Sequence, residues 1–291
     1  MIFSRTAIGR IEYGLTVGNE QRGVFRLLSS NFRSTVVIIS LLSVALLGCG
    51  TKKEPTAAAD RTELTISAAA SLTDALNEVK ATYEQQNKTI RLNFNFGASG
   101  ALQQQIEQGA PADLFLSAAS KNMKALIDKQ LIDPARNKTW LINELVVAVA
   151  ADGKSGVRSI GDLQQKDVMH LALGEPQTVP AGTYAKEALT YAKLWDALQT
   201  KLVYGKDVRQ VLTYVETGNA EAGFVYKTDA LGSSKVKVAF SVDPNAYTPI
   251  EYPAGVVKAT KHSKEAGDFY TYLQSKEALD IFVKYGFTVA R

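Results

Sequence analysis

"ELTISAAASLTDALNEVKATYEQQNKTIRLNFNFG", Glu63 to Gly97, is the stretch whose reading decides the fold. Its ends, "ELTIS" and "TIRLNFNFG", are short β-rich runs, and between them Leu72, Leu76, Val79 and Tyr83 recur at helical spacing. Strand, helix and strand in that order make a crossover unit, with two parallel strands in one sheet and a helix on its face. Ser71 opens the helix with Asp74 three residues on, which is the pattern of a capping box with Asp in place of the usual Glu.

The alternation continues in both directions from this unit. "SGALQQQIEQGA" is helical until Gly109 and Pro111 stop it, "ADLFLSA" is a strand and "SKNMKALIDKQ" a helix. Beyond them come "ELVVAVA", "HLALG", "AGTYAKEALTYAKL", "KLVYG", "DVRQVLTYVETG" and "AEAGFVY". The pattern ends with "YPAGVVKAT" and a helix starting near Ser263. The fold class is therefore α/β, with mixed, mostly parallel sheets flanked by helices. The folded part is generous for one sheet and comfortable for two lobes. The expected division is residues 62–144 plus 252–291 for one lobe and 145–251 for the other. The chain then crosses between lobes at "ELVVAVA" and before "YPAGVVKAT".

Composition excludes some functions. Of 291 residues, 46% are hydrophobic and 21% charged, an ordinary globular profile. The net charge of +4 arises mostly in the first 48 residues; the rest carries 28 basic and 27 acidic side chains of the total 33 and 29. A chain so balanced has no basic face to meet nucleic-acid phosphates. The single cysteine, Cys49, closes "STVVIISLLSVALLGC", in which Arg26 and Arg33 precede an apolar run ending in small residues. That is the layout of an export signal, and the apolar stretch from Thr35 to Gly48, 14 residues, is shorter than the roughly 20 a spanning helix needs. "LLGC" resembles a bacterial lipobox, which implies lipidation of Cys49 and a periplasmic or extracytoplasmic protein held at the membrane. Residues 1–48 are thus expected to be a lipoprotein signal, and residues 49–61, with "GTKKEPTAAAD", a polar tether. Residues 1–34 are long for the charged start of a signal, so the expected translation start is later, for instance at Val24.

Four strand-to-helix junctions stand out. In open α/β sheets, ligands sit beyond the carboxyl ends of the strands. The first helical turn there offers unpaired N–H groups and a partial positive charge to an anion. Ser71 marks one junction; "FNFGASGAL" places Ser99 among small residues at a second; "LGEPQTVPAGTYAKEAL" puts Pro180, Ala181 and Gly182 at a third; "YGKDVRQVL" offers Asp207 as N-cap ahead of Val208 at the fourth. Taken alone, Ser71 reads first as an ordinary helix cap and each of the other junctions is a weak signal, while Tyr226 alone is equally consistent with a core aromatic.

Taken in order, "AAASLTDAL", "GAPADLFLSA", "VPAGTYAKEAL", "DVRQVL", "GFVYKTDA" and "EYPAGVV…YGFT" resemble the periplasmic molybdate-binding proteins of ABC importers, from about Glu63 to Thr288. The resemblance implies a two-lobed periplasmic-binding-protein fold of the type II kind, hinged, closing on an oxyanion held by neutral donors. It implies binding through the hydroxyl and N–H of Ser71 and of Ser99, the N–H groups of Ala181 and Val208, and the phenolic O–H of Tyr226. It further implies molybdate or tungstate as ligand with no cofactor, a membrane permease as partner, a monomeric receptor and no enzymatic activity. None of these contacts is a carboxylate acceptor, which favours a fully deprotonated oxyanion over a protonated one such as hydrogen phosphate.

Rival readings are weaker. Ser71 or Ser99 as a nucleophile lacks a "GxSxG" context, and His170 and His262 belong to no ligand or base spacing. Asp113 in "PADLF" reads as a loop-organising carboxylate rather than a catalytic one. Iron receptors of similar fold often use adjacent tyrosines, and "YY" is absent from the chain. A sulfate or thiosulfate receptor is the closest alternative. Trp140 and Trp195 are available as reporters of closure but are assigned no place in the site.

Overall fold

The computed structural model describes residues 61–152 and 155–291; the readings made on residues 1–48, on Cys49 and on most of the tether lie outside them. The opening unit folds as its pattern predicts, with one change. β1 (Thr62–Ala69) and β2 (Ile90–Gly97) pair in parallel, Thr62 opposite Ile90 through Ala69 opposite Gly97. The helix between them, α1 (Thr73–Gln86), starts later than Ser71, because Ala70–Leu72 form a separate 3-10 turn.

α2 (Ser99–Glu107) leads to β3 (Leu114–Leu116), which lies on the other side of β1, and α3 (Ser120–Asp128) follows. β3 is wholly apolar, and β1 is buried from Ile66 to Ala69 with Ser67 the one polar residue there, as suits parallel strands covered on both faces. β4 (Ile132–Asn143) then runs antiparallel to β10 (Ile250–Val257) and to β11 (Thr288–Val289). The resulting order is β11-β4-β10-β3-β1-β2.

A single residue, Glu144, separates β4 from β5 (Leu145–Ala150), which belongs to a second sheet. That sheet also takes β6 (Leu171–Gly174), β7 (Leu202–Gly205), β8 (Ala222–Tyr226) and β9 (Val236–Ser241), in the order β7-β6-β8-β5-β9. Its helices are α4 (Pro180–Tyr191), the short α5 (Trp195–Leu198), α6 (Val208–Glu216) and α7 (Lys227–Leu231). The chain returns to the first sheet through residues 242–249, and α8 (Ser263–Tyr272) and α9 (Lys276–Lys284) close it.

Both sheets are mixed. The parallel share is smaller than strand–helix alternation implies, because β4, β5, β9, β10 and β11 make only antiparallel pairs. Burial follows the periodicity that formed the elements. α6 turns Val208, Val211, Leu212 and Val215 inward, at roughly 1.5–3 kcal/mol for each fully buried side chain. No helix among the described residues is long and apolar enough to cross a membrane.

Candidate functional site

Register decides where the junctions meet. Ala69 faces Gly97 across β1 and β2, and Gly174 faces Gly205 across β6 and β7, so the carboxyl ends of these strands are level within each sheet. The two sets of ends face one another around a small cavity lined by Ala70, Ser71, Ser99, Pro180, Val208 and Tyr226 among others. Four of the five residues expected in a site, Ser71, Ser99, Val208 and Tyr226, therefore line one space although 155 positions separate the first from the last. The fifth, Ala181, is fully buried one residue behind the lining Pro180.

Backbone donors follow from helix geometry. The first N–H groups of a helix have no intrahelical acceptor. Ser99 is the first residue of α2 and Val208 the first of α6. Pro180 is the first residue of α4 and has no N–H, so the first donor that helix presents is Ala181. Asp207 caps α6 as its sequence context predicts, its Oδ1 accepting from Gln210 N–H at 2.9 Å.

Ser71 does not cap a helix. It is the middle residue of the 3-10 turn, and α1 has no side-chain cap. Its Oγ lies instead 2.9 Å from Tyr252 Oη, and Asp74, the other half of the expected box, pairs with Arg209 at 2.7 Å. The reason is tertiary: Tyr252, wholly buried on β10, stands over the turn and takes the hydroxyl away from the helix. At Ser99 the hydroxyl oxygen accepts from Ala118 N–H at 2.9 Å, which leaves the hydroxyl hydrogen to be donated elsewhere.

Tyr226 is the anomaly. It is 1% exposed, its ring meets that of Tyr252 edge-on with centroids 5.9 Å apart, and its hydroxyl makes no hydrogen bond of regular geometry among the described residues. Burial pushes the phenol well above its ordinary 10, with Tyr252 nearby acting in the same direction, so the group is a neutral donor. An unpartnered buried hydroxyl costs roughly 1–3 kcal/mol, which makes it a ready partner for a guest oxygen. Among the described residues no lysine, arginine or histidine lines the cavity, and the one carboxylate residue there, Asp207, is the α6 cap.

Contacts across the cavity join the two halves. Gly100 N–H donates to Thr178 O at 2.9 Å, and Tyr184 Oη donates to Ala118 O at 3.2 Å. Arg209 on α6 reaches Asp74 on α1 and also pairs at 2.9 Å with Asp229, which is completely buried. Tyr252 and Arg209 were not singled out by sequence reasoning. Tyr252 does stand in "EYPAG", but its partner Ser71 is 181 positions away, and nothing local signals the pairing.

Asp113 accepts from Thr65 N–H at 2.7 Å and from the Thr260 hydroxyl, organising the loop before β3. His170 is exposed, and no group of three or more potential metal-ligating side chains occurs among the described residues.

A two-sheet α/β chain with level strand ends facing a small neutral cavity is the architecture of a solute receptor. The family model described as "Bacterial extracellular solute-binding protein" matches residues 64–288, and the chain belongs to that family. Among its relatives, a Bacillus subtilis protein named as an ABC transporter substrate-binding lipoprotein, YvgL, is 49% identical over 259 residues, 88% of this chain and 99% of the other. The molybdate-binding protein ModA of Haemophilus influenzae is 39% identical over 256 residues, 86% of this chain and 98% of its own. The solved Azotobacter vinelandii periplasmic molybdate-binding protein superposes with a TM-score of 0.70 at 25% identity, covering 78% of this chain and all of the other.

Proposed function

We propose that this chain is the molybdate receptor of an ABC importer, gripping the dianion between two lobes and delivering it to a membrane permease. The lobes are residues 62–144 with 252–291 and residues 145–251 as the sequence divides them, hinged at Glu144 and at the return crossing through residues 242–249, which brings the start of the last segment forward to Ile250. The hydroxyl and N–H of Ser71 and Ser99, the N–H groups of Ala181 and Val208, and the Tyr226 hydroxyl hold the anion; molybdenum is bound as the oxyanion and has no direct protein ligand. Tungstate, of similar size and charge, is a second ligand of the same site. The chain acts as a monomer without catalysis, and Cys49 carries the lipid that anchors it outside the cytoplasm.

The observation that carries this reading is the buried Tyr226 hydroxyl without a regular hydrogen bond among the described residues, lining a cavity that converging helix starts and two serines also line. Charge-assisted hydrogen bonds contribute roughly 1.5–3 kcal/mol each, so a handful reaches micromolar affinity or better after the cost of association. The names of the Haemophilus and Azotobacter relatives support molybdate as cargo, and the name of the Bacillus relative supports the lipid anchor.

Calorimetric titration of the full chain, freed of bound anion, tests the reading with molybdate, tungstate, sulfate and phosphate in turn. The expected result is tight binding of the first two and negligible heat from the others. Preference for sulfate would keep the receptor and change its cargo. Silence for all four from folded protein would overturn the oxyanion site.

A further inference from the structure

Three residues link the crossing between the sheets to the cavity. Asn143 is the last residue of β4, immediately before Glu144, where the chain leaves the first sheet. Its Oδ1 lies 2.9 Å from Glu144 N, a group that only donates, and this fixes which end of the amide is which. Nδ2 therefore faces Thr228 Oγ1 at 2.9 Å and Tyr252 Oη at 3.3 Å, and spends one hydrogen on each. Tyr252 Oη accepts from Asn143, and Ser71 Oγ at 2.9 Å is the acceptor within reach for its own hydrogen. Tyr252 is wholly buried and Ser71 is 3% exposed, so water does not compete for either.

We propose that this relay, from Asn143 Nδ2–H to Tyr252 Oη and from Tyr252 O–H to Ser71 Oγ, sets the direction of the Ser71 hydroxyl and makes Asn143 and Tyr252 positioning residues for anion selectivity. Once Ser71 Oγ accepts from Tyr252, its hydrogen is free only toward the cavity. Ser71 then meets the guest as a donor, as Ser99 does after accepting from Ala118 N–H. A fully deprotonated oxyanion accepts from both serines. A protonated one presents an O–H that finds a donor where it needs an acceptor, and an unmatched buried polar group is the strongest basis for rejection. The relay rests on the oxyanion-receptor reading above.

Asn143→Asp reverses the chain of donors. The carboxylate accepts from Tyr252 O–H, Tyr252 Oη accepts from Ser71, and Ser71 turns a lone pair toward the cavity. Tyr252→Phe removes the middle of the relay without adding a charge. The test measures dissociation constants of the full chain and both variants for molybdate by calorimetry, and for phosphate by competition against molybdate near neutral pH. Melting temperatures confirm that each variant is folded.

The expected result is a fall in molybdate affinity of about tenfold in Tyr252→Phe and a lower molybdate-to-phosphate selectivity ratio, lower still in Asn143→Asp. The two variants separate direction from charge, since a carboxylate acting only by repulsion weakens both anions together. An unchanged ratio in both variants, with the parent chain binding molybdate, would overturn the relay. A fall confined to Tyr252→Phe would overturn it as well, because the Tyr252 hydroxyl would then act independently of Asn143. A parent chain that binds neither anion would overturn the receptor reading and the relay with it.

Discussion

At the scale of the residue, Tyr226 holds its hydroxyl inside the protein without a regular hydrogen bond among the described residues, against the rule that buried polar groups are satisfied. Its aromatic body is accounted for by the edge-on contact with Tyr252, so the hydroxyl is the part that packing does not explain. Tyr226→Phe is therefore expected to leave the melting temperature unchanged or higher, while anion affinity falls about tenfold or more. Melting curves and titration of the same preparation check both halves, and a variant that melts lower with intact affinity would make the hydroxyl structural. Tyr226 was legible as a donor only through the family pattern. On the strand "AEAGFVY" alone it reads equally well as a core aromatic, since its orphaned state depends on groups from the other half of the molecule.

At the scale of the element, two glycines do different work. A Cβ on Gly182 would lie 1.9 Å from Gly174 O, so α4 sits on the end of β6 at a distance only glycine allows. A Cβ on Gly100 would lie 2.6 Å from Thr178 O, which belongs to the other half. Gly182→Ala is expected to lower the stability of the empty chain by at least the ~1–3 kcal/mol typical of overpacking. Gly100→Ala is expected to melt like the parent when empty but to gain less stability from bound anion. Thermal shifts with and without molybdate separate the two, and equal behaviour would refute the assignment.

Elements whose cues are local were legible. Pro180 and Asp207 mark the starts of α4 and α6 because fixed φ and a side-chain acceptor act within one turn. β4 was not legible. It runs through "IDPARNKTWLIN", with a proline, several charges and no clean alternation, and exists because β10 and β11 pair with its two edges. The 3-10 turn at Ser71 was missed for a like reason, as Tyr252 comes from the far end of the chain.

At the scale of the whole molecule, the two halves are tied by charge as well as by backbone. Arg209 is shared between half-exposed Asp74 and Asp229, which is buried completely. Burial pushes the Asp229 carboxyl up from its ordinary 3.8 to about 6, outweighing the pull of Arg209 in the other direction. For a raised folded-state value, the native chain binds the proton more tightly than the unfolded chain. The stability contribution of Asp229 is then fully present below 3.8 and is lost as pH rises through about 6. Measured against Asp229→Asn, the parent is expected to lose relative stability across that window and to level off above it. Paired melting curves over the window check this, and a constant difference between the two proteins would show that Asp229 does not titrate there.

The residues that line the cavity have one more consequence. Ala69, Ala70, Gly97, Ala98 and Ala118 have no side-chain rotamers to lose, and Pro180 has its ring fixed. The part of the wall that these residues form is thus frozen before any ion arrives. On the receptor reading proposed above, the side-chain entropy given up on capture falls on the serine, valine, aspartate and tyrosine side chains that complete the wall, and the remainder on the ion and the lobes that close on it.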